Sequence, residues 1–85
     1  MLTDITVRQA KAKIQPYKIS DSSGLYLLVK TTGKYWRMDY RFVGKRKTLT
    51  IGVYPAASLI NARKKRDQAR ELLLKDIDPS LFTPP

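Results

Sequence analysis

The sequence contains no cysteine and no histidine, and this absence removes several kinds of chemistry at once. Disulfide bonds, thiolate nucleophiles, the usual zinc-ligand spacings and the commonest general base all require one of these two residues. Acidic residues are also scarce, seven against seventeen Lys and Arg, and they are scattered. No glycine-rich phosphate loop joins a strand to a helix. We therefore expect no catalytic residue, no metal site and no cofactor, and an enzyme is the weakest interpretation.

Long apolar runs are missing as well. The longest near-apolar stretch, 25–29, is far shorter than the roughly 20 residues that a membrane-spanning helix needs. The N-terminus lacks the apolar segment of a signal peptide, and the lack of cysteine is consistent with a reducing compartment. We expect a soluble cytoplasmic protein without a membrane partner.

The chain is instead strongly basic, with a net charge of +10. Its 85 residues give room for one domain, and 42% hydrophobic residues argue against a disordered basic tail. A folded polycation needs a polyanionic partner. Nucleic acid is the default, because Lys and Arg that neutralise phosphates release condensed counterions. Structured RNA fits this charge as well as DNA does, and an anionic membrane surface is the lesser alternative.

The basic excess is concentrated in the middle of the chain. Residues 25–54 contain seven basic residues and one acid, which accounts for +6 of the total charge. The same segment contains three runs rich in β-branched and aromatic residues, 24–30, 34–43 and 46–52, separated by short turns that contain glycine. These runs predict a three-stranded antiparallel sheet.

Turn chemistry predicts the registers of the two hairpins. In the second hairpin, Gly44 suits the first central position of a two-residue type II′ turn, which pairs Phe42 with Lys47. In the first hairpin, a two-residue turn at 32–33 pairs Val29 with Trp36, and a three-residue loop with a bulge is the alternative.

These registers agree on which side chains share a face of the sheet. One face is apolar and consists of Leu25, Leu27, Val29, Trp36, Met38, Tyr40, Leu49 and Ile51. The other face is polar and basic and consists of Tyr26, Leu28, Lys30, Tyr35, Arg37, Asp39, Arg41, Arg46, Thr48 and Thr50.

An apolar sheet face needs a cover, and the C-terminal third supplies a helix. Ser58 is a suitable N-cap for a helix from Leu59 to about Lys75. Thr3 and Asp4 predict a second, short helix that runs to about Ala12. The expected fold is α+β: a three-stranded antiparallel β-sheet packed on one face by a C-terminal α-helix, with a short N-terminal helix.

The polar face offers residue types that contact DNA bases in the major groove. Arginine can bind guanine O6 and N7, threonine can reach a base edge or a thymine methyl, and a carboxylate can accept from cytosine N4. A solvated sheet face is ordinarily polar, so taken singly these residues are more often plain surface than contacts. We assign base contacts to Arg37, Asp39, Arg41, Thr48 and Thr50, with Asp39 alternatively orienting an arginine. Phosphate contacts are assigned to basic residues at turns and strand ends, namely Lys30, Lys34, Lys45, Arg46 and Lys47.

Six short motifs, taken in order and spacing, resemble the amino-terminal arm-type DNA-binding domain of tyrosine-recombinase integrases from prophages and genomic islands. No single motif is decisive, but their colinearity from Leu2 to about Ser80 is specific. The motifs are Leu2-Thr3-Asp4, Asp21-Ser22-Ser23-Gly24-Leu25-Tyr26-Leu27, Trp36-Arg37 with Tyr40-Arg41, Gly44-Lys45-Arg46-Lys47-Thr48-Leu49, Gly52-Val53-Tyr54-Pro55, and Ser58-Leu59 with Ala62-Arg63.

This resemblance implies that residues 1–79 form a domain that inserts its sheet into the major groove of double-stranded DNA at direct-repeat arm sites. Residues 80–85 are then a linker or a truncated end. Core-binding and catalytic domains of a recombinase that integrates and excises a mobile element would follow. The fragment is expected to be monomeric and associated with the nucleoid, and the parent protein to assemble as a multimer on DNA.

Two positions depart from the family's pattern. Asp39 replaces a basic residue on the exposed sheet face, which puts the sequence preference in doubt. Asn61 replaces the acidic residue that would complete a capping box with Ser58, which affects only helix stability.

Overall fold

The computed structural model describes residues 2–81. It contains two α-helices and one four-stranded antiparallel sheet, in which the strands lie side by side in chain order. The elements are α1 (Asp4–Gln9), β1 (Tyr17–Ser20), β2 (Leu25–Lys30), β3 (Gly33–Phe42), β4 (Lys45–Tyr54), α2 (Leu59–Leu74) and a 3₁₀ turn (Pro79–Leu81). The predicted α+β class with a C-terminal helix is confirmed.

The prediction of three strands is wrong, because β1 adds a fourth strand beside β2. Ile19 lies opposite Leu27, and Lys18 lies opposite Leu28. Residues 17–20 do alternate between apolar and polar side chains, which is the period of a strand. Four residues are too short a signal to identify a strand by themselves, and the pairing with β2 is what holds this segment extended.

The first hairpin differs in register from the prediction. Leu27 lies opposite Trp36 instead of Met38, and the two-residue turn falls at 31–32 instead of 32–33. The pairing is therefore displaced by two residues.

The second hairpin is displaced by the same amount. Phe42 pairs with Lys45 instead of Lys47, and the turn residues are Val43 and Gly44. Their φ angles of 53° and 73° are both left-handed, as a type I′ turn requires, so the type II′ prediction is wrong. A type I′ turn matches the right-handed twist of the strands, and this match outweighs the strain of a β-branched residue at positive φ.

A displacement of two residues leaves every side chain on its predicted face, because side chains alternate along a strand. All eight predicted apolar-face residues lie in the core. The polar face is less open than predicted at β2, where Tyr26 is only 6% and Leu28 only 8% exposed. The reason is that β2 lies between β1 and β3, and the ammonium group of Lys18 lies 4.7 Å from the Tyr26 ring centroid.

Helix α2 covers the apolar face, as predicted. Its Leu59, Ala62 and Ala69 are buried in the same core as Trp36, whose indole N–H donates to the carbonyl oxygen of Ala57 over 2.7 Å. The start of the helix is also confirmed, since the Ser58 side chain accepts from the backbone N–H of Asn61.

Helix α1 begins where the sequence predicts but ends earlier. Thr3 caps it by accepting from the backbone N–H of Thr6 over 3.2 Å, and Val7 is fully buried. The backbone is already extended at Ala10, so the helix does not reach Ala12. Between residues 2 and 81, no helix is long and apolar enough to cross a membrane.

Candidate nucleic-acid interface

The sheet face opposite α2, called the outer face below, carries most of the residues that the sequence assigns to DNA. They are arranged in three cross-strand rows. The first row is Tyr26, Arg37 and Thr50, the second is Asp39 and Thr48, and the third is Arg41 and Arg46. Successive rows are two residues apart along β3, a spacing of about 6.7 Å.

Arg37 is held more tightly than an ordinary surface arginine. Its side chain is half-buried between its cross-strand neighbours Tyr26 and Thr50. The Nε atom is buried without a hydrogen-bond partner among residues 2–81. Packing on both sides restricts the rotamers of this side chain, which lowers the entropy that it would lose on binding a ligand.

Arg41 and Arg46 lie directly opposite each other on β3 and β4, and both are exposed. Like charges at directly opposed positions of a sheet are mildly destabilising. Neither arginine forms an ion pair within the described part of the chain. Together with Lys18, Asp39 and Thr48 they line a shallow depression on the outer face. An anion bound there would relieve the repulsion.

Asp39 does not orient an arginine, which was the alternative role that the sequence left open. Its carboxylate accepts instead from the Thr48 hydroxyl over 2.8 Å, and it forms no ion pair with any described residue. Burial, and next the negative charge of Asp39, raise the pKa of Tyr26, so the carboxylate lies close to this phenol.

Lys18 is an outer-face cation that the sequence analysis missed. It is exposed and lies opposite Leu28, on the same face as Arg37. The alternation of residues 17–20 was the available signal, and it was overlooked together with β1.

Three of the lysines assigned to phosphates do not lie on the outer face. The ammonium group of Lys34 donates to the carbonyl oxygens of Val7 (2.8 Å) and Arg8 (3.1 Å), at the C-terminal end of α1. Lys47 forms an ion pair with Asp78. Lys45 is exposed beside the hairpin turn, on the sheet face that α2 covers, which is called the helix side below. Of the other two, Arg46 lies on the outer face, and Lys30 lies at its edge with its ammonium group 5.7 Å from the Tyr35 ring centroid.

Asp78 fastens the end of the described chain to the helix side of the sheet. It accepts from the Tyr40 hydroxyl over 2.6 Å, from the backbone N–H of Ser80 over 3.0 Å, and from Lys47. The hydrogen bonds from Lys47 and then Tyr40 hold the pKa of Asp78 well below its ordinary range. The charge of Lys47 is therefore neutralised within the domain.

Asp21 likewise neutralises the charge of two arginines of α2. Its fully buried carboxylate accepts from Arg63 Nε (3.0 Å) and Nη2 (2.9 Å), from Arg66 Nη1 (3.2 Å) and from the backbone N–H of Leu2 (2.9 Å). The Arg63 hydrogen bonds lower the pKa of Asp21 against the opposing effect of burial. The spacing of residues along the sequence gave no signal for this cluster.

The cations next to the sheet thus differ in how they are compensated. On the helix side, Lys47, Arg63 and Arg66 are paired with acids, and Lys34 is bonded to carbonyl oxygens. The outer-face arginines have no acidic partner among the described residues. A small folded domain with a net charge of +10 that presents a cluster of arginines without acidic partners on an open sheet face has the features of a nucleic-acid-binding domain.

Comparison with known proteins identifies the family. The sequence model of the Arm DNA-binding domain family matches residues 2–82, and the chain belongs to this family. It is similar to the integrase of Enterobacteria phage P4, with 47% identity over 78 residues, which cover 88% of this chain and 18% of that protein. It is also similar to the integrase of Shigella phage Sf6 and to the prophage integrase IntS of Escherichia coli K12. Each is 44% identical over 80 residues, which cover 93% of this chain and 21% of the relative.

The resemblance found in the sequence motifs is therefore confirmed. The chain is a DNA-binding domain of the kind found in phage and prophage integrases, and it spans about a fifth of the length of the relatives it matches.

Proposed function

We propose that this chain binds double-stranded DNA in a sequence-specific way, at direct-repeat arm sites, by placing its outer face in the major groove. The observation that carries the proposal is the cluster of arginines on the outer face that have no acidic partner among the described residues. Arg37, Arg41 and Arg46 have no acidic partner among the described residues on an open sheet face, whereas Arg63 and Arg66 of α2 are paired with Asp21.

The dimensions of the outer face support entry into the major groove. That groove is about 12 Å wide and admits a two-stranded ribbon, and neighbouring strands lie about 4.8 Å apart. Strands β3 and β4 are joined by a two-residue turn, and beyond Met38, the last β3 residue that pairs with β2, they continue as a ribbon of two strands. This ribbon carries Asp39, Arg41 and Thr48, and Arg37 and Thr50 lie at its base, beside β2.

The roles of the side chains follow from their positions. We propose base contacts for Arg37, Asp39, Arg41, Thr48 and Thr50, all of which lie on the outer face of β3 and β4. Phosphate contacts are proposed for Arg46, Lys30, Lys45 and the added Lys18. Lys34 and Lys47 would first have to leave their internal partners, so they are the weakest of the phosphate contacts assigned from the sequence.

The names of the relatives extend the proposal to the whole protein. They are integrases of phages and prophages, of which the matched segment is about a fifth. We propose that the domain is the N-terminal module of a tyrosine recombinase that integrates and excises a mobile element and that assembles as a multimer on DNA. Its place in the cell would then be with the nucleoid.

A salt titration with competition tests the DNA assignment. A duplex that carries the terminal repeats of the element should bind with a log affinity that falls in log salt with a slope of roughly −4 to −6, if about five or six phosphates are neutralised. A structured RNA is the alternative ligand. An RNA that competes as well as the repeat duplex at equal concentration would refute the DNA assignment in favour of that alternative.

Substitutions separate base contacts from phosphate contacts. Arg37→Ala and Arg41→Ala should each cost about 1–3 kcal/mol of binding free energy and relax the preference at particular base pairs. Lys45→Ala should weaken binding to all sequences about equally and reduce the salt slope by about one. Equal behaviour of the three variants in a binding titration would contradict this division.

A further inference from the structure

Asp39 and Thr48 form one hydrogen-bonded unit in the middle row of the outer face. They lie opposite each other on β3 and β4, both are exposed, and the Thr48 hydroxyl donates to Asp39 Oδ1 over 2.8 Å. A hydroxyl has a single proton, so this bond uses the only donor of Thr48. What the pair itself contributes to a ligand is therefore acceptors, the lone pairs left on the carboxylate and on the hydroxyl, and the largely buried Tyr26 phenol lies against the carboxylate.

Donors flank this acceptor pair along β3. Arg37 and Arg41 lie two residues away on either side and on the same face, and a guanidinium group has donors only. The outer face therefore presents the order donor, acceptor, donor along the strand. In the major groove, donors match the O6 and N7 atoms of guanine, whereas acceptors match the amino groups of cytosine and adenine.

The negative charge of Asp39 distinguishes between these two amino-bearing bases. Adenine presents its N7 acceptor beside the amino group, whereas cytosine presents the amino group without an adjacent acceptor. A carboxylate at an adenine edge would face the N7 lone pair at close range, and it would face acceptors at guanine and thymine as well. Rejection of these three bases by unmatched acceptors is a direct source of specificity.

We propose that the Asp39–Thr48 pair selects a cytosine in the target site, at a position between the bases contacted by Arg37 and Arg41, a role that rests on the proposed function. The Thr48 hydrogen bond fixes the orientation of the carboxylate before DNA arrives. No described arginine forms an ion pair with Asp39, so its charge is available to the base.

Asp39→Asn is the informative substitution, because it replaces one acceptor oxygen by a donor nitrogen and keeps the hydrogen bond with Thr48. The amide oxygen can still accept from Thr48, while the amide nitrogen turns a donor toward the groove. Selection from a library of randomised duplexes should enrich a cytosine with the unaltered chain. With Asp39→Asn that cytosine preference should fall about tenfold or more and move toward the bases that present an acceptor, namely adenine, guanine and thymine, and the flanking guanines should be retained.

Two controls separate this role from simple charge repulsion. Asp76→Asn removes one negative charge at an exposed residue with a left-handed φ of 57°, which asparagine adopts readily, and it should leave the cytosine preference intact. Thr48→Val removes the hydroxyl and should weaken the preference, whereas Thr48→Ser should preserve it.

The outcomes distinguish the inference from the function on which it rests. If the unaltered chain enriches a sequence but Asp39→Asn keeps the same cytosine, the inference is overturned and sequence-specific DNA binding stands. A uniform gain in affinity with unchanged preference has the same meaning, because it leaves Asp39 as a source of repulsion only. If the unaltered chain enriches no sequence at all, the proposed function fails first.

Discussion

Removal of the Asp21 carboxylate should destabilise the domain more than any single change on its surface. In the Asp21→Ala variant, four N–H donors lose their acceptor: two of Arg63, one of Arg66 and the backbone N–H of Leu2. The Asp21 side chain is fully buried, and the contacts join the N-terminus and the β1–β2 turn to α2. The loss therefore affects three segments at once.

The expected magnitude follows from the exposure of the partners. Breaking a buried ion pair by removing one partner costs about 3–5 kcal/mol, because the other charge is left uncompensated. The Arg63 side chain is 30% exposed and the Arg66 side chain 11%, so water can partly solvate both. We expect the lower end, about 3 kcal/mol, which corresponds to a fall in Tm of roughly 12–24 °C for a domain of this size.

Thermal and urea denaturation followed by circular dichroism measure this difference. The matched control is Asp67→Ala, which removes an acid that is 62% exposed and pairs with Arg66 on the surface of α2. An exposed pair of this kind contributes about 1 kcal/mol at most. If Asp21→Ala were no more destabilised than Asp67→Ala, the buried cluster would not stabilise the fold in the way described.

Three further predictions concern stability. The pKa values of Asp21 and Asp78 are lowered in the folded state. The two carboxylates therefore make their full contribution to the free energy of unfolding at pH values above their ordinary pKa near 4, and this contribution is lost as the pH falls through the lowered pKa values. The urea midpoint should thus decrease between about pH 5 and pH 2, and less steeply with Asp21→Asn; an unchanged slope would contradict the assignment. Gly24→Ala should destabilise more than Gly44→Ala in thermal denaturation, because both have positive φ but only at Gly24 would the new Cβ lie 2.4 Å from a backbone oxygen of β3. Val43→Asn should raise the free energy of unfolding by about 1 kcal/mol, since Val43 is exposed and asparagine favours this turn position; a loss of stability would exclude the strain at φ 53°.

The outer face shows which structural features local sequence patterns can predict. The alternation along β3 places Trp36 and Met38 on one side and Arg37 and Asp39 on the other whatever the pairing partner is, because side chains alternate along any strand. Both predicted registers were displaced by two residues, and the faces were still correct. The capping chemistry of Ser58 is equally local, and it located the start of α2 correctly.

The partners of individual charges could not be predicted in this way. The sequence assigned Lys34 and Lys47 to phosphates from their positions near turns, but the structure ties both to groups inside the domain. It treated the acid at 39 as a possible partner of an arginine, whereas the carboxylate bonds to Thr48. Ion pairs depend on which segments meet, and the residues that meet are far apart in the chain.

The sequence alone thus determined the fold class, the two faces of the sheet, the excess of positive charge and the family, since each of these depends on composition, on alternation along one strand or on short motifs. Tertiary structure decided the fourth strand, the registers and the distribution of free charge. Asp21 and Arg63 are 42 residues apart and Lys47 and Asp78 are 31 apart, and no local signal connects them. Only the packing of α2 and the chain end against the sheet brings these charges together, whereas Arg41 and Arg46 on the outer face have no acidic partner among the described residues.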